Sequence, residues 1–226
     1  MIIEMNNISK VYQTGNVEFA ALKEINLKLK RGDFVAIVGP SGSGKSTLMN
    51  LIGCLDLPTK GNYLLDGREV KHLSSNELAE VRNKKIGFVF QAFNLLPYAT
   101  AFENVELPLL FAGVKSKNRK ERVHEILEKV GLSDKMENKP TEMSGGEMQR
   151  VAIARAMAND PEIILADEPT GNLDSKSGAA IVDLFKELWK SGKTIIVITH
   201  DEKIAGQLPR IVKLKDGLIE SNGYAN

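Results

Sequence analysis

Apolar positions along this chain follow two spacings that take turns. From Ala21 to Lys30, Leu22, Ile25, Leu27 and Leu29 are set among polar residues and Arg31-Gly32-Asp33 follows, which reads as a strand and a turn. Phe34–Val38 is a short continuous apolar run, as expected of a strand covered on both faces. Ile86–Phe90, Ile163–Ala166 and Thr194–Thr199 are similar runs, each separated from the next by helical pattern. That order predicts a sheet of parallel strands with crossover helices. Between Gln91 and Asp160 helical spacing dominates. Val123, Ile126, Leu127 and Val130 form one stripe within Arg119–Val130, Gly131 is a natural stop, and Val151–Ala158 is Ala-rich. This stretch reads as a helical subdomain inserted into an α/β core. Arg210–Lys215 and Leu218–Ser221, joined by Asp216-Gly217, read as a hairpin.

Composition narrows the classes. A chain of 226 residues suits one domain, or a domain with a subdomain. With 42% hydrophobic and 26% charged residues it is not a mostly disordered chain. Lys plus Arg number 30 against 29 Asp plus Glu, a net charge of +1, so no whole-surface attraction to nucleic acid or anionic lipid is expected. The one cysteine, Cys54, permits neither an internal disulfide nor a Cys-based zinc site, and reads as a small apolar side chain on a helix. Met1–Lys10 lacks the apolar run of a signal peptide, and runs such as Ile195–Ile198 fall far short of the roughly 20 residues that span a bilayer. A cytoplasmic protein is the expectation. His72 and His124 read as surface residues.

Directly after the buried run comes Gly39-Pro40-Ser41-Gly42-Ser43-Gly44-Lys45-Ser46, which fits the pattern G-x-x-x-x-G-K-[ST]. Glycines let the backbone turn tightly, so that successive N–H groups converge on an anion. A helix starting near Lys45 and running over Thr47–Leu55 adds the positive end of its dipole. Lys45 supplies a mobile charge for β- and γ-phosphates, and the Ser46 hydroxyl suits Mg²⁺. The loop predicts nucleotide binding, not what is done with the nucleotide.

Ile163-Ile164-Leu165-Ala166-Asp167-Glu168 is a strand run that ends in two carboxylates. Asp167 at the carboxyl edge suits Mg²⁺ held through a water, because Mg²⁺ keeps much of its hydration shell. Glu168 is next in line to orient a water against the γ-phosphate. Holding a metal needs one carboxylate, and the second is available for the water.

Ser144-Gly145-Gly146-Glu147 precedes the helix through Ala158. Ser at the N-cap with Glu three residues on is a capping box, which accounts for Ser144 and Glu147. It does not account for the adjacent glycines, which suit backbone approached closely by an anion. The first loop already cradles one set of phosphates, so a second such helix start makes sense if it serves another molecule's nucleotide.

With these residues in place the chain resembles the nucleotide-binding subunit of an ABC transporter. Met143-Ser144-Gly145-Gly146-Glu147-Met148-Gln149-Arg150 resembles the family signature, Gln91 matches the Q-loop, and Gly171-Asn172-Leu173-Asp174 matches the D-loop. His200 matches the switch histidine, and Tyr12 sits where the family places an adenine-stacking aromatic. The match runs through nearly the whole chain. Met143 stands for the usual Leu and Glu147 for the usual Gln. The carboxylate of Glu147 should weaken ATP engagement modestly unless it stays turned into its cap. Asp174 is also suited to cap the helix Ser175–Lys190, and both roles can hold together. Gln91 also suits a turn, Tyr12 plain packing and His200 a strand-end histidine.

The resemblance implies a P-loop NTPase fold: a mixed sheet core (1–90 and 161–226), an inserted helical subdomain (91–160) and an amino-terminal antiparallel β part. It implies an ATPase in which two copies close head to tail. ATP would lie between Gly39–Thr47 of one and Ser144–Gly146 of the other, with Asp174 at the same site. Lys45 and Mg²⁺ would neutralise the phosphates, with Ser46, Gln91 and Asp167 toward the metal, Glu168 polarising water and His200 on the γ-phosphate. Phe90–Pro97 would border the groove for a separate transmembrane permease, placing the chain on the inner face of the membrane, without nucleic acid. Phe90–Leu110 and Glu168–Asp174 are similar to the lipoprotein-release and macrolide-export branch, and the cell-division ATPases resemble it too. Importer ATPases usually carry extra carboxyl-terminal sequence, and this chain is read to stop at Asn226. DNA-repair and translation members carry long coiled coils or two ATPase halves, neither of which is read here.

Overall fold

The computed structural model describes residues 1–15 and 17–224, so the chain end read at Asn226 lies outside the described residues. The elements run β1 (Ile3–Thr14), β2 (Val17–Leu29), β3 (Phe34–Val38), α1 (Lys45–Ile52), β4 (Lys60–Leu65), β5 (Arg68–Glu69) and α2 (Ser75–Lys85). There follow β6 (Ile86–Phe90), α3 (Ala101–Phe111), α4 (Ser116–Lys129), α5 (Gly145–Met157), β7 (Ile163–Asp167) and α6 (Ser175–Lys190). The last are β8 (Thr194–Ile198), α7 (Glu202–Ala205), β9 (Arg210–Lys215) and β10 (Leu218–Tyr224). They divide into two compact units: Met1–Val81 with the chain from Thr194 onward, and Arg82–Lys193.

In the first unit, the amino-terminal strands form the expected antiparallel sheet, in the order β2-β1-β4-β5. Its buried side carries Ile3, Met5 and Ile8 of β1 and Leu22, Ile25, Leu27 and Leu29 of β2. β3 lies between β8 and β9 and parallel to both, while β10 pairs antiparallel with β9. Every residue of β3 and β8 is buried, which is why neither alternates in sequence.

In the second unit, β6 and β7 pair in parallel, with Phe90 opposite Asp167. α3, α4 and α5 enclose a core of Val105, Leu109, Val123, Ile126, Leu127, Val151 and Ala154, and Met143 packs into it. The helical stretch 91–160 falls within this unit, which also holds β6, β7 and α6.

Several bounds differ from expectation. α1 starts at Lys45, as expected, with Gly44 at φ 101° serving as a left-handed N-cap. It ends at Ile52, so Cys54 lies just past the helix, buried and at φ 53°. α5 starts at Gly145, directly after the expected Ser144 N-cap, so both glycines lie inside its first turn, and it ends at Met157 with Ala158 as C-cap. β4, β5, α2 and α3 are elements that the apolar pattern did not announce. α2 buries no residue and therefore carries no stripe to read. α3 carries Pro108 in its interior, a residue that argues against helix.

Candidate functional site

The phosphate loop belongs to the first unit and is braced from two sides. A Cβ at Gly39 would lie 2.1 Å from the Leu214 carbonyl oxygen, and one at Gly44 2.6 Å from that of Ala21, so β9 and β2 press directly on the loop backbone. The Asp216-Gly217 turn joins in: Gly217 N–H donates to the Ser43 carbonyl at 3.0 Å, and Lys23 N–H donates to the Gly217 carbonyl at 2.8 Å. Gly217 is thus a brace of the loop that the hairpin pattern alone did not reveal.

Three features of this loop fit a bound polyphosphate. α1 has no side-chain cap, so the N–H groups of its first turn have no acceptor within the helix. Ser43 is buried, and its hydroxyl oxygen has no hydrogen-bond partner among the described residues. Lys45 Nζ donates to the Gly39 and Pro40 carbonyls at 2.8 and 2.9 Å, folding a cation over the backbone cradle. Pro40, Ser41, Gly42 and Ser46 are exposed, and Thr47 is half-buried. Among the described residues no three or more His, Cys, Asp or Glu side chains cluster as a metal site. A hydroxyl such as that of Ser46 with one carboxylate instead suits Mg²⁺, which takes most of its ligands from phosphate and water.

In the second unit, Phe90 pairs with Asp167 at the end of the β6–β7 register, and Gln91 and Glu168 are the residues that follow them. Asp167 closes β7, half-buried. Glu168 sits at φ 44°, a left-handed conformation that a side chain seldom adopts. The loop after it holds that conformation. Gly171 N–H donates to the Glu168 carbonyl at 3.0 Å, and the fully buried Gln149 of α5 donates from Nε2 to the Pro169 carbonyl at 2.8 Å. Asp174 ends the loop as the N-cap of α6, accepting from the Lys176 and Ser177 N–H groups at 3.0 Å each. The hydroxyl and N–H of Ser177 hold its carboxyl below the usual carboxylate range.

The start of α5 has a different construction from that of α1. Ser144 Oγ accepts from Glu147 N–H at 3.3 Å, while Glu147 Oε2 accepts from Ser144 N–H at 2.8 Å and from its hydroxyl at 2.9 Å. Glu147 is therefore turned into the cap. The Ser144 N–H and hydroxyl, with Lys135 and Arg150 nearby, hold its carboxyl below the usual range. The first-turn backbone is tightly approached: a Cβ at Gly146 would lie 3.0 Å from Ser177 Oγ.

Tyr12 pairs across β1 and β2 with Phe19, and its hydroxyl donates to Asp56 Oδ2 at 3.1 Å. Lys10 Nζ bonds Asp56 Oδ1 at 2.6 Å and sits 4.9 Å from the Tyr12 ring centroid. Burial raises the pKa of Asp56, but the bonds from Lys10, the Leu57 N–H and Tyr12 outweigh it and hold the carboxyl below the usual range. His200 is exposed beyond β8, next to Asp201, whose side chain caps α7.

Two residues that shape the Phe90–Pro97 segment escaped the sequence reading. The Arg155 guanidinium donates to the Asn94 and Phe93 carbonyls, the latter at 2.9 Å, where both residues have positive φ. Buried Asn104 accepts from Leu96 N–H at 2.8 Å and donates to the carbonyls of Leu96, Ala99 and Thr100. A polar residue inside an apolar helix was the available signal. Asn104→Ala leaves those groups unpaired, so we expect urea unfolding to show a loss of about 2–3 kcal/mol. A loss below about 0.5 kcal/mol would mean that water replaces the amide.

The phosphate loop on a strand–helix junction defines the class, a P-loop nucleotide-binding protein. The family model for ABC transporters matches residues 22–171. An uncharacterised ABC transporter ATP-binding protein of Thermotoga maritima is 52% identical over 97% of this chain and 94% of its own length. A macrolide export ATP-binding/permease protein of Aggregatibacter actinomycetemcomitans is 51% identical over 98% of this chain, which spans 34% of that longer protein. A dimeric ATP-binding cassette, MJ0796, solved in a post-hydrolysis state with ADP and Pi, superposes with a TM-score of 0.91 at 48% identity, covering 99% of both chains. The chain belongs to the ABC transporter family, as an ABC-type ATPase.

Proposed function

We propose that two copies of this chain close head to tail on ATP, hydrolyse it, and drive a separate transmembrane permease of the export type. The uncapped α1 helix start, with Lys45 folded over it, carries the nucleotide half of this reading. The loop amides and Lys45 bind the phosphates, and the Tyr12 ring stacks on the base. The α5 start, with Ser144, Gly145 and Gly146, meets the γ-phosphate of the partner's nucleotide, and Glu147 holds the Ser144 hydroxyl in place until then. Asp174 orients the loop that enters the same site.

Mg²⁺, when bound, draws charge from the phosphate oxygens and orients them for in-line attack. Ser46, Asp167 and Gln91 are the residues that would hold it, Asp167 through water. Glu168 accepts the proton of the attacking water, and its fixed backbone keeps the carboxylate aimed. His200 contacts the γ-phosphate and holds the closed pair. Because phosphoryl transfer depends on positioning and charge stabilisation, supplying part of the site from the second copy links hydrolysis to assembly.

Two observations support the permease. The macrolide export relative carries ATP-binding and permease parts in one polypeptide, of which this chain matches about the ATP-binding third. Among the described residues no helix is long and apolar enough to cross a membrane, so a spanning part would come from another polypeptide or segment. The Phe90–Pro97 segment, with Leu96 about half exposed at 48%, is the surface offered to it on the inner face of the membrane. The tagged chain should co-purify from detergent-solubilised membranes with an integral-membrane polypeptide that stimulates its ATPase. Recovery with ribosomes or nucleic acid instead would overturn the transport reading.

A further inference from the structure

Gln91 and Asn172 hold each other by two hydrogen bonds. Gln91 Nε2 donates to Asn172 Oδ1 at 3.2 Å, and Asn172 Nδ2 donates to the Gln91 carbonyl at 3.0 Å. The Gln91 side chain lies flat on Gly171, where an added Cβ would come within 2.7 Å of Nε2 and 3.0 Å of Cδ. Its other terminal atom, Oε1, accepts no hydrogen bond among the described residues. Asn172 is the better anchored partner. Its loop is pinned by Gln149 at Pro169, by the Glu168–Gly171 turn, by the bond from Leu173 N–H to the Thr170 carbonyl at 3.1 Å, and by the Asp174 cap.

The two ends of a primary amide have nearly the same shape and opposite chemistry. A hard divalent cation binds the carbonyl oxygen and is repelled by the NH₂. An unheld glutamine presents either end. We propose that Asn172 is a positioning residue that takes up the Gln91 NH₂, so that the carbonyl oxygen faces the metal of the bound nucleotide. The inference rests on the reading of Gln91 as a metal ligand and adds to it what sets its orientation. It also ties the segment after β6 to the loop after β7, so a shift of one carries the other.

The test uses the full chain loaded with a non-hydrolysable ATP analogue, with Mn²⁺ as the probe and free Mn²⁺ read by electron paramagnetic resonance. Asn172→Ala should weaken Mn²⁺ binding about two- to tenfold, the range for loss of one exposed neutral hydrogen bond. In Gln91→Glu both terminal atoms are oxygens and nothing is left to orient, so adding Asn172→Ala should change the affinity no further. In the metal-free protein, the Gln91 side-chain NH₂ resonances should shift and exchange faster with water on Asn172→Ala. The proposal is overturned if Asn172→Ala leaves Mn²⁺ affinity unchanged while Gln91→Ala lowers it. It is equally overturned if Asn172→Ala weakens binding as much in the Gln91→Glu protein, since that would be general loop damage. If Gln91→Ala also has no effect, the metal-ligand reading of Gln91 fails and takes the proposal with it. A chain that does not bind the analogue at all would instead sink the function proposed above.

Discussion

Glu168→Gln should lower the ATP turnover rate by about a hundred- to ten-thousandfold, the contribution of a positioned general base, while ATP-driven pairing of two chains persists. The substitution keeps the shape of the side chain and removes only its ability to accept a proton. It leaves the backbone arrangement untouched, because the left-handed φ of 44° at Glu168 is held by Gly171 N–H and, one residue on, by Gln149. A glutamine pays the same conformational cost there as a glutamate, so lost activity reports chemistry and not collapse of the loop. The measurement is twofold: phosphate release under saturating Mg²⁺ and ATP, and size-exclusion mass with ATP against ADP. A stable pair with ATP retained and turnover lost is the expected result. Turnover near that of the unaltered chain would remove Glu168 from the reaction.

The residues that carry this prediction differ in how readable they were. Gly39–Ser46 and Asp167-Glu168 stand at the ends of strands whose every residue, or nearly every one, is buried, so continuous apolar runs marked both strands and their polar ends. α6 was bounded correctly because its apolar stripe and its Asp174 cap agree. The antiparallel pairing of the amino-terminal strands came only with the family resemblance; the apolar pattern marked β2 from Ala21 onward but not its start, since β2 is exposed from Val17 to Ala20 and does not alternate there. α2 and α3 went unread for opposite reasons, the one having no apolar stripe and the other a proline within an apolar stretch. What no local pattern carries is a contact between distant segments. Gly217 bracing Ser43, Arg155 holding Phe93 and Asn94, and Asn172 holding Gln91 each join residues 61 or more positions apart, and each needed the fold to be seen. Glu147 lies between these cases. The capping box was legible from spacing, but the direction of its carboxylate, which decides whether it opposes a phosphate, is a matter of geometry.

Two separately inactive variants should regain activity when mixed, if the pocket is built from two chains. Lys45→Ala removes the cation that neutralises the phosphates but leaves the α5 start intact. Ser144→Arg removes the N-cap and puts a bulky side chain at an exposed position in front of α5, while the phosphate loop is intact. Loss of the cap costs about 0.5–2 kcal/mol, so the variant should remain folded by circular dichroism. Each variant alone should turn over ATP at least about a hundredfold more slowly, since charge stabilisation at the transferred phosphoryl group is lost from both pockets. Mixed one to one with free exchange, half of the pairs carry one of each, and one of their two pockets joins a sound Lys45 to a sound Ser144. With pockets acting independently, about a quarter of the normal rate should return, because a two-fold pair contains each composite pocket twice. If each chain completed its own pocket, every pocket in the mixture would keep one of the two lesions and no activity would return. The experiment therefore separates a shared nucleotide from a private one without reference to any membrane partner. Returned activity would also give the α5 glycines a second role: their backbone, closely packed on Ser177 and Leu173 within one chain, would meet the phosphates of another.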